Sequence, residues 1–172
     1  LLAEIETATH VLHTTAAHAE AVGPLVLPAS ALGELPPLLG PEGIDLSVTL
    51  PSGPERLAEV AEAVAAMPIR LRALEIAVAE WTPTGFFTAL GHAWAAAAGK
   101  LPPGIDVFVE IPRDQRREEV LSGCRTGGWR AKFRTGGIEA RLYPGEEELA
   151  TAIRAAVDAE VPFKATAGLH HA

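Results

Sequence analysis

Along this chain, apolar residues follow two alternating rhythms. Short runs rich in Val, Ile, Leu and Phe at 25–27, 44–50, 69–79, 105–111, 129–135 and 161–166 predict strands, and most alternate apolar with polar at a period of two. Between most of them lie alanine-rich amphipathic stretches at 54–67, 84–98, 113–121 and 145–160, which predict helices. Pro68, Gly99, Gly123 and Pro162 mark their ends. A further helix is expected over 1–21, where Leu2, Ile5, Ala8, Leu12 and Ala16 keep helical spacing until Gly23-Pro24 interrupts it. The link from Leu27 to Ile44, with Pro36-Pro37, carries little helical pattern.

Strand and helix thus alternate about every 30 residues, the cue for βαβ units and a parallel sheet. We therefore expect an α/β fold, a parallel (β/α) barrel of TIM type, in a single domain over 1–172 with about six strands. The standard ring needs eight strands, the chain opens on Leu1-Leu2, and it stops just after a strand. A truncated or incomplete barrel is the expectation.

Period two also sorts the faces. In a barrel the side toward the helices must be apolar, and the other side points inward, where ligands are met near the C-terminal strand ends. This sends Leu46, Val48, Leu74, Ile76, Val107, Val109, Ala131 and Phe133 outward. It leaves Asp45, Ser47 and Thr49 inside on the second strand, Glu75, Ala77 and Ala79 on the third, and Asp106, Phe108 and Glu110 on the fourth. Arg130, Lys132 and Arg134 follow on the fifth, and Lys164, Thr166 and Gly168 on the sixth. Barrel interiors are by default branched and apolar, and an unpaired buried charge is costly, so these acids and bases must pair or stay partly wet. They form either a structural ionic layer or an active site.

Composition narrows the partners. With 172 residues, 48% of them hydrophobic, and a mean hydropathy of +0.19, the chain can bury a substantial core. A net charge of −8 and a pI near 5.2 offer no footprint for nucleic acid, and the arginines at 113–117 lie beside acids. Cys124 is alone, which excludes an intrachain disulfide and a thiolate metal cluster and fits a reducing cytoplasm. No apolar run reaches membrane-spanning length and no signal peptide is recognisable, so neither a membrane partner nor secretion is expected. The expected partner is a small molecule, and open sheet edges make a homo-oligomer a second expectation.

Lys132 and Lys164 are one βα unit apart, so they should stand at similar heights on neighbouring strands about 4.8 Å apart. A like charge so near, with partial desolvation, favours loss of a proton from one of them. A neutral lysine amine attacks carbonyls to give Schiff bases, and Glu75 or Glu110 could move the protons. The plainer alternative pairs both lysines with these two acids.

Arg130-Ala131-Lys132-Phe133-Arg134-Thr135-Gly136-Gly137, followed by Val161-Pro162-Phe163-Lys164-Ala165-Thr166-Ala167-Gly168, resembles the two lysine strands of 2-deoxyribose-5-phosphate aldolase and related class I aldolases. The resemblance covers roughly 69–168 and implies Lys132 as the Schiff-base lysine, with Lys164 as the neighbour that eases its deprotonation. Glu75, in Leu74-Glu75-Ile76-Ala77-Val78, would stand for the family's proton-shuttling aspartate, and Phe108-Val109-Glu110 resembles its glutamate-ending strand. Thr135, Gly136, Gly137, Thr166 and Gly168 would line the substrate. Ala167-Gly168 departs from the family's Gly-Gly, and Arg134 replaces a small polar residue and could hold a carboxylate or phosphate instead. The ending Phe163 to His171 also resembles longer, uncharacterised actinobacterial proteins.

The remaining candidates have plain explanations. His170-His171 could serve a metal or carry protons, but adjacent residues on an extended chain point opposite ways, so no metal is expected. His10, His13 and His18 read as solvated helix positions. Neither GxGxxG nor Gly-Lys-Ser/Thr is present, and no cofactor is expected. Gly127-Gly128 and Gly136-Gly137 read as loops, although the second pair could offer N–H groups to an anion. Trp81, Phe86, Phe87 and Trp94 read as core, and Cys124 as an inert thiol.

Overall fold

The computed structural model describes residues 7, 8, 10, 11, 15, 17, 19–137 and 139–166. Six strands follow one another across one all-parallel sheet, in chain order: β1 (Leu25–Pro28), β2 (Ile44–Leu50), β3 (Ile69–Ala77), β4 (Asp106–Glu110), β5 (Arg130–Arg134) and β6 (Phe163–Thr166). The helices α1 (Leu57–Ala65), α2 (Pro83–Ala96), α3 (Arg117–Gly127) and α4 (Glu146–Asp158) provide the crossovers between β2 and β6. Between β1 and β2, where the sequence showed an irregular link with little helical pattern, the chain forms 3₁₀ turns at Ala29–Glu34 and Pro36–Leu38. The sheet curls into a half-barrel, an incomplete (β/α) barrel with β1 and β6 as its edges among the described residues.

The apolar alternation explains which side the helices cover. Leu46, Val48, Leu74, Ile76, Val109 and Ala131 are buried beneath Leu57, Val60, Ala61 and Val64 of α1, Phe86 and Leu90 of α2, and Val120, Leu121 and Cys124 of α3. The α1 residues recur at i, i+3, i+4 and i+7, one stripe of a helix. Thr82 caps α2 by accepting from the Gly85 N–H at 3.2 Å, with Pro83 in its first turn. Burial pushes the Cys124 thiol up to about 12, which keeps it an inert core group.

Two details depart from the sequence reading. The helix expected at 113–121 runs instead from Arg117 to Gly127, because Asp114 accepts from the Arg116 N–H and guanidinium and holds the preceding segment in a turn. Gly123 does not end it. It sits mid-helix, where an added Cβ would lie 2.0 Å from the Phe87 ring, and the stop is Gly128 in the left-handed conformation at φ 69°. Of the helix expected over 1–21, residues 7, 8, 10 and 11 are helical and Ala19–Ala21 form a 3₁₀ turn; the rest lies outside the described residues. No helix among the described residues is long and apolar enough to cross a membrane.

Candidate functional site

The inner face carries charge at both ends. Near its N-terminal edge the register between β2 and β3 slips at Leu46/Ser47, and Arg70 and Arg72 both reach Asp45, Arg72 at 2.8 Å. Arg130 pairs with Asp106 beside them at 2.7 Å.

Farther along the strands is the lysine pair. Lys132 and Lys164 are direct partners in the β5–β6 register, and both end on one carboxylate. Lys132 Nζ lies 2.9 Å from Glu75 Oε2, and Lys164 Nζ donates to Glu75 Oε1 at 2.7 Å. Glu75 is on β3, three strands from β6, which in a flat sheet would be about 14 Å away. The curl of the half-barrel brings them together. Ser47 Oγ donates to the same Oε1 at 2.8 Å, completing the surroundings of that oxygen.

Glu110 extends the cluster toward the C-terminal rim. Its Oε2 is 2.9 Å from Lys132 Nζ, and its Oε1 accepts from Arg134 Nε at 3.0 Å. Lys164 Nζ also stands 4.0 Å above the centre of the Phe108 ring, whose face attracts a cation. Among the described residues, Lys132, Lys164 and Arg134 thus face Glu75 and Glu110, three cations to two anions. The Glu75 side chain is 2% exposed and that of Lys132 7%, whereas Lys164 keeps 28%. Burial works to raise Glu75, but the charge of Lys132 and the hydrogen bonds from both lysines outweigh it and hold the carboxyl below its ordinary value. Glu110 is likewise raised by burial and lowered further by Lys132 and Arg134.

The other expected residues divide. Thr166 shares the inner face with Lys164, and its Oγ1 is buried without a hydrogen-bond partner among the described residues. Thr135 is engaged in the sheet, its N–H and hydroxyl both donating to the Thr166 carbonyl at 2.9 and 3.1 Å. Gly136 is buried, and Gly137 packs beneath Leu142. Gly168, His170 and His171 lie outside the described residues, as do His13 and His18. Among the described residues, no group of three or more His, Cys, Asp or Glu side chains is placed to hold a metal ion.

Sequence reasoning put Ser47 and Phe108 on the inner face but gave neither a role; both touch the lysine–carboxylate cluster. It also missed a cleft of about 710 Å³ at the C-terminal ends of β2 to β5, where Glu110 and Arg134 form part of the wall. Comparison with protein-family models, curated proteins and solved structures finds no match, so the site is read from its own geometry.

Proposed function

We propose that this protein forms a Schiff base between Lys132 and a small carbonyl compound and acts as an aldolase-type lyase. The observation that carries the reading is the convergence of two lysine nitrogens from adjacent strands on the one carboxylate of Glu75, with Glu110 as a second acid on Lys132. Among the described residues the cluster holds three cations against two carboxylates. A structural ionic layer alone needs only as many cations as anions.

The chemistry follows from these contacts. The Lys132 ammonium gives a proton to the Glu75 or Glu110 carboxylate 2.9 Å away, the freed amine adds to the carbonyl carbon, and the carboxyl so protonated returns the proton to the departing hydroxyl of the carbinolamine so that water leaves. The resulting iminium accepts the electron pair of the adjacent C–C bond as it breaks. The hydroxyl of the leaving aldehyde gives its proton to the carboxylate. Protonation of the enamine and hydrolysis then restore Lys132. The Thr166 hydroxyl, without a partner among the described residues, offers a hydrogen bond to a substrate oxygen. The likeness of the two lysine strands to those of class I aldolases supports the same assignment of Lys132, Lys164 and Glu75.

The chain has three lysines, and the third, Lys100, is paired with Glu62 on the exterior. It serves as an internal reference. Incubation with small aldehydes and cyanoborohydride, followed by peptide mapping, should label Lys132 faster than Lys100, with the adduct lost in Lys132→Met. Labelling of neither Lys132 nor Lys164 above Lys100 would leave the cluster as a structural ionic layer, the reading that its complete pairing favours.

A further inference from the structure

Five arginines, Arg113, Arg116, Arg117, Arg134 and Arg141, line the cleft at the C-terminal rim. Their partners decide which of them can meet a ligand. Arg113 is fully engaged, with Nε and Nη2 each 2.6 Å from a Glu148 oxygen and Nη1 donating to the Arg141 carbonyl at 2.7 Å. Arg116 grips Asp114 and donates to the Ala79 and Trp81 carbonyls at 2.7 and 2.6 Å, staples for the loop after β3, in which Ala79 is left-handed at φ 47°.

Arg117 differs. Its side chain is only 19% exposed, yet its ion pair among the described residues is a 3.9 Å approach to Glu148 Oε1, an oxygen that Arg113 already holds. Among the described residues nothing accepts a hydrogen bond from this enclosed planar guanidinium, whose donor fork suits a planar or tetrahedral oxyanion. Arg134 borders the same space with one acid, Glu110, shared with Lys132. Arg141, held at 2.6 Å by Glu139, stands exposed at the rim.

We propose that this cleft binds the oxyanion of a small molecule, a phosphate monoester or a carboxylate, with Arg117 as its anchor and Arg134 and Arg141 as flanking cations. Bidentate contact with Arg117 within the cleft would retain the anion, and Arg141 at the mouth would meet it by exchanging Glu139 for it. The site stands whether or not Lys132 forms an imine. If both hold, Glu110 and Arg134, common to the cleft and the cluster, place the anion of a carbonyl substrate one side chain away from Lys132.

Titration calorimetry at low ionic strength with inorganic phosphate, with succinate and with chloride tests the proposal and separates the two sources of anion. Saturable binding of phosphate or succinate, but not chloride, is expected, weakened about tenfold in Arg117→Gln and less in Arg117→Lys. Arg141→Glu, at the exposed rim, provides a variant that leaves the interior untouched and should also weaken binding. Lys132→Met should keep the anion affinity while losing the aldehyde adduct, so the two proposals fail separately. No saturable binding, or binding unchanged in both Arg117→Gln and Arg141→Glu, overturns it.

Discussion

The inner face of the half-barrel holds two clusters of paired acids and bases in opposite settings. Near the N-terminal edge, Asp45 meets Arg70 and Arg72, and Arg130 meets Asp106, with all five side chains a third or more exposed. Toward the C-terminal rim, Glu75 and Lys132 are almost fully enclosed. Exposed pairs form with little desolvation and contribute about 0–1 kcal/mol, whereas enclosing an ion costs several kcal/mol before any pairing repays it. Similar chemistry is therefore nearly neutral at one end and demanding at the other. A fold that needed only to fill its interior would do so with Leu, Ile or Val, as it does on the helix-facing side. The enclosed cluster lies toward the end of the sheet where parallel barrels carry their chemistry, and this contrast, more than the presence of charge, is what supports the proposal that it is a site.

The sharpest way to break the comparison is Glu75→Gln. The change strips Lys164 of its carboxylate and leaves Lys132 with Glu110 alone, in surroundings that exclude most water. We expect a loss of about 3 kcal/mol, at the low end for breaking a buried pair from one side because Lys164 can turn toward solvent. Urea denaturation of the variant and the parent measures it. A loss below about 1 kcal/mol would mean that the upper cluster is solvated like the lower one. Lys132→Met should cost less, since it leaves Lys164 on Glu75 and Arg134 on Glu110 in balance.

Acid provides a second, smaller contrast. Glu75 and Glu110 are held below the ordinary carboxylate value of 4.5, so the stability they contribute is complete above that value and is lost as pH falls through their lower folded-state values. Between about pH 5 and pH 3 the unfolded chain takes up protons that the folded cluster resists, and stability must fall. In Glu75→Gln one such proton is removed from the balance. The slope of unfolding free energy against pH over that window should be shallower in the variant, as read from urea midpoints at each pH. An equal slope would show that Glu75 is not the carboxyl being titrated.

Much of this arrangement was legible in the residue pattern. Alternation placed Glu75, Glu110, Lys132 and Lys164 on one face, and the length of a βα unit set the two lysines opposite each other, as the register confirms. The plainer alternative, both lysines paired with Glu75 and Glu110, is the arrangement found; that both would end on the single carboxylate of Glu75 was not legible. That contact spans three strands and depends on the curl of the sheet, a global property that no local spacing encodes. The arginine cleft was hidden for a different reason. Reading 113–121 as helix placed Arg117 in mid-helix, whereas the Asp114 turn delays the start and brings Arg117 to the first helical position, at the cleft wall. Thr135, by contrast, matched a motif but is occupied in sheet hydrogen bonding.

The smallest expected effect lies at the lower cluster. Asp45 accepts from both Arg70 and Arg72, and these hydrogen bonds outweigh the raising effect of burial and hold its carboxyl below the ordinary value. On paper it resembles Glu75, since each is a carboxylate serving two cations. The difference is water. Both arginines are more than half exposed, so when Asp45→Asn removes the charge, their guanidiniums rehydrate and Arg70 keeps its bond to the Glu42 carbonyl at 2.8 Å. Screening limits the loss to about 0.5 kcal/mol, and because the pairs are solvent-exposed the difference should shrink further in about 1 M salt, where the screening length is only about 3 Å. Parallel urea titrations at low and high salt would read both numbers. A loss comparable to that of Glu75→Gln, unaffected by salt, would show that the two ends of the inner face are equally dry, and the argument that singles out the lysine end would fail.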